Sequence, residues 1–217
     1  TKEKIMKTTI YLITCIIMLF GLMGCFPVSY AFYDIELQEV ERPAQAKERY
    51  GEPKIVSTQD AGVNKYLFED EMVRVLWLPT KDAIHFSLTN KTSQSIKIIW
   101  DEAAYVDVNG SSHRVMHSGV KYIDRTNSQP PTIVVRNGSI EDLVFPTDNV
   151  YYSSGKYGGW KKTPLFPDTE LFGEDLNTEI KPYINKTFQV LLPLQIEDVV
   201  NEYIFVFNIK NIQIKKF

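Results

Sequence analysis

From residue 54 onward the apolar positions of this chain recur at every second residue, the period of a strand with one buried face. Val73, Val75 and Trp77 alternate with Arg74, Leu76 and Leu78, and Pro79-Thr80-Lys81-Asp82 supplies a turn. In the next run Ile84, Phe86 and Leu88 share one face while His85, Ser87 and Thr89 share the other. A polar connection at 90–93 leads to Ile96, Ile98 and Trp100, again on one side. Residues 105–108 then run into Asn109-Gly110, a strong hairpin signal because both central positions of a tight turn tolerate a positive φ there. Residues 112–117 pair back across it, so 73–117 predicts an antiparallel meander of four or five strands.

The same period continues with interruptions. Gln129-Pro130-Pro131 is a rigid break, 133–136 ends at a second turn pair, Asn137-Gly138, and 139–145 stops at Pro146. Residues 149–172 carry Tyr151, Tyr152, Tyr157, Trp160 and Phe166 among glycines and prolines, which reads as a long aromatic loop. Two strands follow at 187–196 and 203–214, joined by a short link at 197–202. Before the meander, Ala31, Tyr33 and Ile35 alternate as a first strand, and 41–51 has the Pro43 start, helix-forming residues and Gly51 stop of one short helix. About nine strands with turn signals near every ten residues predict an all-β fold, an antiparallel β-sandwich of immunoglobulin-like topology. Trp77, Phe86, Trp100, Val144, Leu191 and Phe205 or Phe207 are the expected core.

Upstream of the strands the pattern changes to a leader. Met6 and Lys7 precede an apolar run at 10–20 that is short for a bilayer span, then come Leu22-Met23-Gly24-Cys25. These four residues resemble the lipobox of bacterial lipoproteins. The resemblance implies cleavage between Gly24 and Cys25, a diacylglyceryl thioether on Cys25, and acylation of the new amino terminus. Residues 1–5 are read as lying upstream of the leader. The expected organisation is a removed signal peptide at 1–24, the lipidated Cys and a short connection at 25–40, and one β domain at 41–217. The segments at 99–104, 112–120 and 157–160 resemble a group of uncharacterised bacterial envelope lipoproteins, which implies location and fold but no chemistry. If the envelope is Gram-negative, Phe26 after Cys25 is not the Asp associated with inner-membrane retention, and the outer membrane facing the periplasm is expected.

Composition narrows the function classes. Lys2, Lys4, Lys7 and Glu3 leave with the leader, so 24 basic and 27 acidic side chains become 21 and 26, a net charge near −5. Such a balance lacks the concentrated basic surface that nucleic acid requires. The two cysteines are Cys15, within the leader, and Cys25, so the expected domain has no disulfide, no cysteine metal site and no thiol nucleophile.

Three constellations remain as candidates. His113 and His117 are two residues either side of Val115 and share a strand face, so with His85, Asp107 or Glu102 they are the candidate ligands for copper or zinc. Asp101 and Glu102 with Asp107 form an acidic patch of the kind that supports a carboxylate-based hydrolase when neighbouring pKa values diverge. Tyr152, Tyr157 and Trp160 supply contact area for an envelope protein or a glycan, or else fold back over an open sheet edge. No nucleophile elbow, phosphate loop or zinc-protease motif occurs. The expectation is therefore a non-catalytic binding or assembly module without a cofactor, whose membrane partner is reached through the acyl anchor.

Overall fold

The computed structural model describes residues 29–43, 50–60, 63–167 and 176–216. The leader, Cys25 and most of the helix expected at 41–51 lie outside the described residues. Fourteen strands are present among those described: β1 (Ser29–Glu41), β2 (Lys54–Asp60), β3 (Val63–Glu69), β4 (Val73–Pro79), β5 (Ile84–Asn90), β6 (Ile96–Ile98), β7 (Ala104–Val106), β8 (Ser112–Met116), β9 (Thr132–Val134), β10 (Ser139–Pro146), β11 (Val150–Ser153), β12 (Gly159–Lys162), β13 (Thr187–Ile196) and β14 (Val199–Lys216). A single helical turn, α1 (Leu176–Ile180), packs Leu176 and Ile180 against Ala31 near the start of β1.

Every ladder is antiparallel, as expected, and the main sheet runs β1-β14-β13-β7-β8-β10-β5-β4-β3-β2. Its two ends curl toward one another, and the Asn64 amide of β3 donates to Asp34 Oδ1 of β1 at 2.9 Å. The result is a nearly closed, barrel-like sheet, which covers most of its edges. β13 occupies the branch point. One edge pairs with β14 along its whole length, while the other pairs with β7 through Gln189–Leu191 and with β6 through 194–196. Pro193 sits where the partner changes, and its carbonyl still accepts from Ile99 N–H at 3.0 Å. A residue with no N–H is tolerated there because the ladder is already interrupted.

The inner face is aromatic. The Trp77 ring lies 4.7 Å from Phe205, 5.6 Å from Phe207 and 5.1 Å from Phe86, so β4 and β5 meet β14 across the core. Phe188 stacks on Phe207 at 5.1 Å and continues the cluster along β13. Trp77, Phe86, Trp100, Val144, Phe205 and Phe207 are all buried, as expected. Leu191 is not: Phe188, Val190, Leu192 and Leu194 take the inner face of β13, which turns Leu191 outward to half-burial. The continuous apolar run Val190-Leu191-Leu192 carries no alternation from which its facing can be read.

Two further expectations are corrected. The meander breaks after β5, because β10 pairs with β5 through Ser139–Val144 and with β8 at Phe145–Pro146, while β6 joins β13 and β9. Part of the expected long loop is instead a two-stranded hairpin, β11–β12, with Tyr151 opposite Lys161 and Tyr152 opposite Trp160. Its Gly159 at φ 139° supports the reversal.

Two clusters of buried polar groups are hydrogen-bonded in the interior. The Asp70 carboxylate accepts from Met72 and Val73 N–H at 2.9 Å each, from the Tyr203 hydroxyl at 3.1 Å and from Arg42 at 3.3 Å. Asn90, fully buried at the end of β5, donates through Nδ2 to the carbonyls of Gln94, Val134 and Val135 and accepts from Thr92. Both cost desolvation and return it through hydrogen bonds, the condition under which polar groups persist in a core.

Candidate functional site

The β7–β8 hairpin organises a polar concavity. Asp107 directly follows β7 and folds the turn onto itself, Oδ1 accepting from Asn109 N–H at 2.9 Å and Ser111 N–H at 2.8 Å. Gly110 closes the turn at φ 83°. The second carboxylate oxygen of Asp107 then faces His113 Nε2 at 3.4 Å, while His113 Nδ1 meets Asp148 Oδ2 at 3.0 Å. Both ring nitrogens thus point at carboxylates, an arrangement that stabilises the imidazolium. The hydrogen bond to Asp148 is the largest influence and raises the His113 pKa above its ordinary value, with partial burial opposing and Asp107 reinforcing. Partial burial pushes Asp107 up, but the N–H groups of Ser111 and Asn109 together with His113 outweigh it and hold the carboxyl below its usual range.

Asp101 lies at the other side of the same groove. It accepts from the Ser128 hydroxyl, from Gln129 N–H at 3.0 Å and from Arg114 Nη2 at 2.7 Å, and the Ser128 bond leads in lowering its pKa. Arg114 also donates to the carbonyls of Thr126 and Asn127, which fastens the 122–128 segment over β8. Asp101, Glu102, Ser112, His113, Arg114 and Ser128 line an open groove of about 570 Å³. Asp101 in the groove and Asp107, which reaches it only through His113, are both shifted toward the ionised form. Paired-carboxylate catalysis requires one of them to be displaced upward as the acid.

His117 belongs to a different neighbourhood. It follows β8, stacks on Trp100 at 4.3 Å between ring centres and 4° between planes, and sets Nδ1 3.1 Å from Asp142 Oδ2. The structure therefore pairs His113 with Asp107 and Asp148, and His117 with Asp142, on opposite sides of the Val115 position. His85 is exposed on the outer face of β5, opposite Leu78 and Leu143. Among the described residues no three His, Cys, Asp or Glu side chains form a metal-ligating group. Asp142 and Asp148, the histidines' partners, come from β10 and from the turn before β11, and nothing in the local sequence announces them.

The aromatic segment divides in two. Phe166 is buried against Tyr33, Phe188 and Tyr183, and Leu165 N–H donates to the Lys81 carbonyl, so this end closes one end of the barrel. The hairpin instead turns its rings outward. Tyr157 at its tip is 84% exposed, and Tyr152 meets Trp160 edge-on at 5.5 Å. Arg125 lies over the Trp160 ring at 4.9 Å, with Tyr122 at 6.3 Å. Covering and display are both realised, by different residues.

These features define an antiparallel, barrel-like β domain with an ion-paired groove and a separate exposed aromatic hairpin. No protein-family model, curated protein or solved structure matches the chain.

Proposed function

We propose that the chain is a lipid-anchored lipoprotein of the bacterial cell envelope, whose β domain is a non-catalytic binding or assembly module. The observation that carries this reading is Leu22-Met23-Gly24-Cys25 behind a basic and then apolar leader. β1 begins at Ser29, four residues after Cys25, so an acylated Cys25 would hold the domain close to the lipid. The outer membrane is the expected leaflet in a Gram-negative envelope. The module reading is supported by the engaged state of Asp101, Asp107 and His113, each already committed to an internal partner, and by the outward rings of Tyr152, Tyr157 and Trp160. An immunoglobulin-like sandwich describes the same sheet if β3, β4, β5 and β10 are taken as one layer against β1, β14 and β13. The Trp77–Phe205 and Phe68–Phe205 contacts support that division.

Labelled palmitate is expected to enter the wild-type chain and not Cys25→Ser. Incorporation that survives the substitution, or none in the wild type, refutes the anchor. For the module, Tyr157→Ala and Trp160→Ala are expected to abolish capture of an envelope partner while leaving the unfolding midpoint unchanged. Retained capture refutes the role of the hairpin.

A further inference from the structure

The hairpin stands out in charge as well as in exposure. Residues 149–167 contain Lys156, Lys161 and Lys162 and not one acidic side chain, in a chain whose net charge is −3. Tyr152 is 63% exposed, Tyr157 84% and Trp160 37%. Lysine and ring are combined rather than separated: the Lys156 ammonium lies 5.5 Å from the centre of the Tyr157 ring. The neighbouring turn at Tyr122–Asp124 extends the patch with exposed Ile123, while Arg125 packs on Trp160.

The position of this patch in the fold matters equally. The chain leaving β12 is fastened to the first residues of β1, through Tyr33 donating to the Pro167 carbonyl and through the Tyr33–Phe166 ring pair at 5.1 Å. At that same end Phe32 is exposed and carries the Lys215 ammonium 5.0 Å over its ring. Amphipathic rings with basic side chains around them are the composition that settles at a lipid headgroup layer, the rings at the interface and the lysines toward anionic phosphates. Tyr152 and Tyr122 stand at 74° and 61° to Trp160, so neither extends its ring into a wider flat face.

We infer that the β11–β12 hairpin, with the adjoining Tyr122–Arg125 turn, is a membrane-contact element that lays the domain on an anionic lipid bilayer. It rests on the lipoprotein reading only for nearness to the bilayer. The contact is separate from acylation and fixes the orientation of the domain, whereas an acyl chain alone fixes only its distance.

Trp77 and Trp100 are fully buried and Trp160 is the remaining tryptophan, so quenching by lipid reports on the hairpin. The full chain is reconstituted into vesicles of phosphatidylcholine and phosphatidylglycerol with acyl chains brominated near the headgroup, and palmitate incorporation is measured on the same preparation. Total emission is expected to fall by about a third, one tryptophan of three, on the mixed vesicles. It is expected to fall much less on pure phosphatidylcholine, and not at all in Trp160→Phe. Replacing Lys156, Lys161 and Lys162 by Gln is expected to lower the contacting population about fivefold per lysine, roughly 100-fold in all. Tyr157→Ser, at the solvent-exposed tip, is the second variant and weakens contact without touching the fold. An acylated chain whose emission is unchanged by brominated anionic lipid overturns the inference while the anchor stands. Emission that responds to soluble peptidoglycan fragments and not to lipid overturns it in favour of a glycan surface. Quenching without palmitate incorporation supports the patch and refutes the anchor.

Discussion

Asn90→Asp isolates the energetics of one buried amide, because it changes hydrogen-bonding character at almost constant volume. Asn90 Nδ2 faces three carbonyl oxygens, those of Gln94 at 2.7 Å, Val134 at 3.0 Å and Val135 at 3.2 Å. Its Oδ1 accepts from Thr92 N–H at 2.9 Å and Thr92 Oγ1 at 2.7 Å, and its backbone N–H donates to Gly138. The side chain thereby fastens the β5–β6 turn to the end of β9. In the aspartate the two N–H donors become a carboxylate oxygen aimed at the same carbonyls. Two lost bonds at about 1 kcal/mol each, plus the cost of burying a charge without a counter-ion, give a loss of roughly 4 kcal/mol at neutral pH. The buried acid escapes part of that by taking up a proton, so its folded-state pKa rises above its unfolded value. The folded variant then binds more protons than the unfolded one, and its stability falls as pH rises from the unfolded pKa through the folded one. Protonated, the side chain donates to one carbonyl, and the deficit relative to wild type shrinks to about 2 kcal/mol near pH 4. Urea unfolding followed by tryptophan emission at several pH values, with wild type subtracted, measures this. A deficit below about 1 kcal/mol at pH 7, or one that does not change with pH, refutes the reasoning.

Trp77→Ala empties the centre of the Phe86–Phe205–Phe207 cluster and is expected to cost about 3–5 kcal/mol in urea unfolding. Asp70→Ala strands Arg42, the Tyr203 hydroxyl and two N–H groups in the interior, with an expected loss of about 3–5 kcal/mol. Arg74, whose exposed guanidinium pairs with Glu69 at 3.1 Å, provides the contrast, and Arg74→Gln is expected to cost less than about 1 kcal/mol in the same assay because Glu69 keeps Lys91 at 2.8 Å. His113 carries a raised pKa, so its contribution is complete below its ordinary value of 6.5 and is lost as pH rises through the folded-state value. His113→Gln is accordingly expected to destabilise the protein at pH 6 and to lose that effect under alkaline conditions, weakly and less so in high salt because Asp148 is exposed. Nuclear magnetic resonance signals of His113 and His117 are expected to be unmoved by stoichiometric Zn(II) or Cu(II), since separate acids hold the two rings; a joint shift refutes this.

What was legible in the sequence is the set of features that depend on near neighbours. Alternation located β4, β5 and β8, and the Asn109-Gly110 and Asn137-Gly138 pairs marked real turns, Asn137 at φ 57° and Gly138 N–H returning to the Val135 carbonyl. Pairings between distant segments left no such trace. Nothing in 139–146 says that β10 inserts between β5 and β8, and that insertion carries Asp142 to His117. Likewise Asp148 reaches His113 only because the turn before β11 folds across β8. The Asp70 and Asn90 clusters are single polar letters among apolar ones, indistinguishable from surface positions until their partners arrive. In β11–β12 the alternation exists, but tyrosines on both faces and the glycines between them hide it.

The ladder between β1 and β14 joins Ser29 to Lys216 and continues through twelve residue pairs to Glu41 and Ile204. The strand first in sequence is thus completed by residues more than 160 positions later, a non-local closure of the kind that makes β topologies fold slowly. It also has a mechanical side. A pull on Ser29 along β1 drags it lengthwise against β14, whose 199–208 half is locked to β13, so the load falls on many backbone bonds at once instead of opening them one by one. Two register irregularities, at Asp34/Ile35 and Leu37/Glu39, are where that seam would yield first.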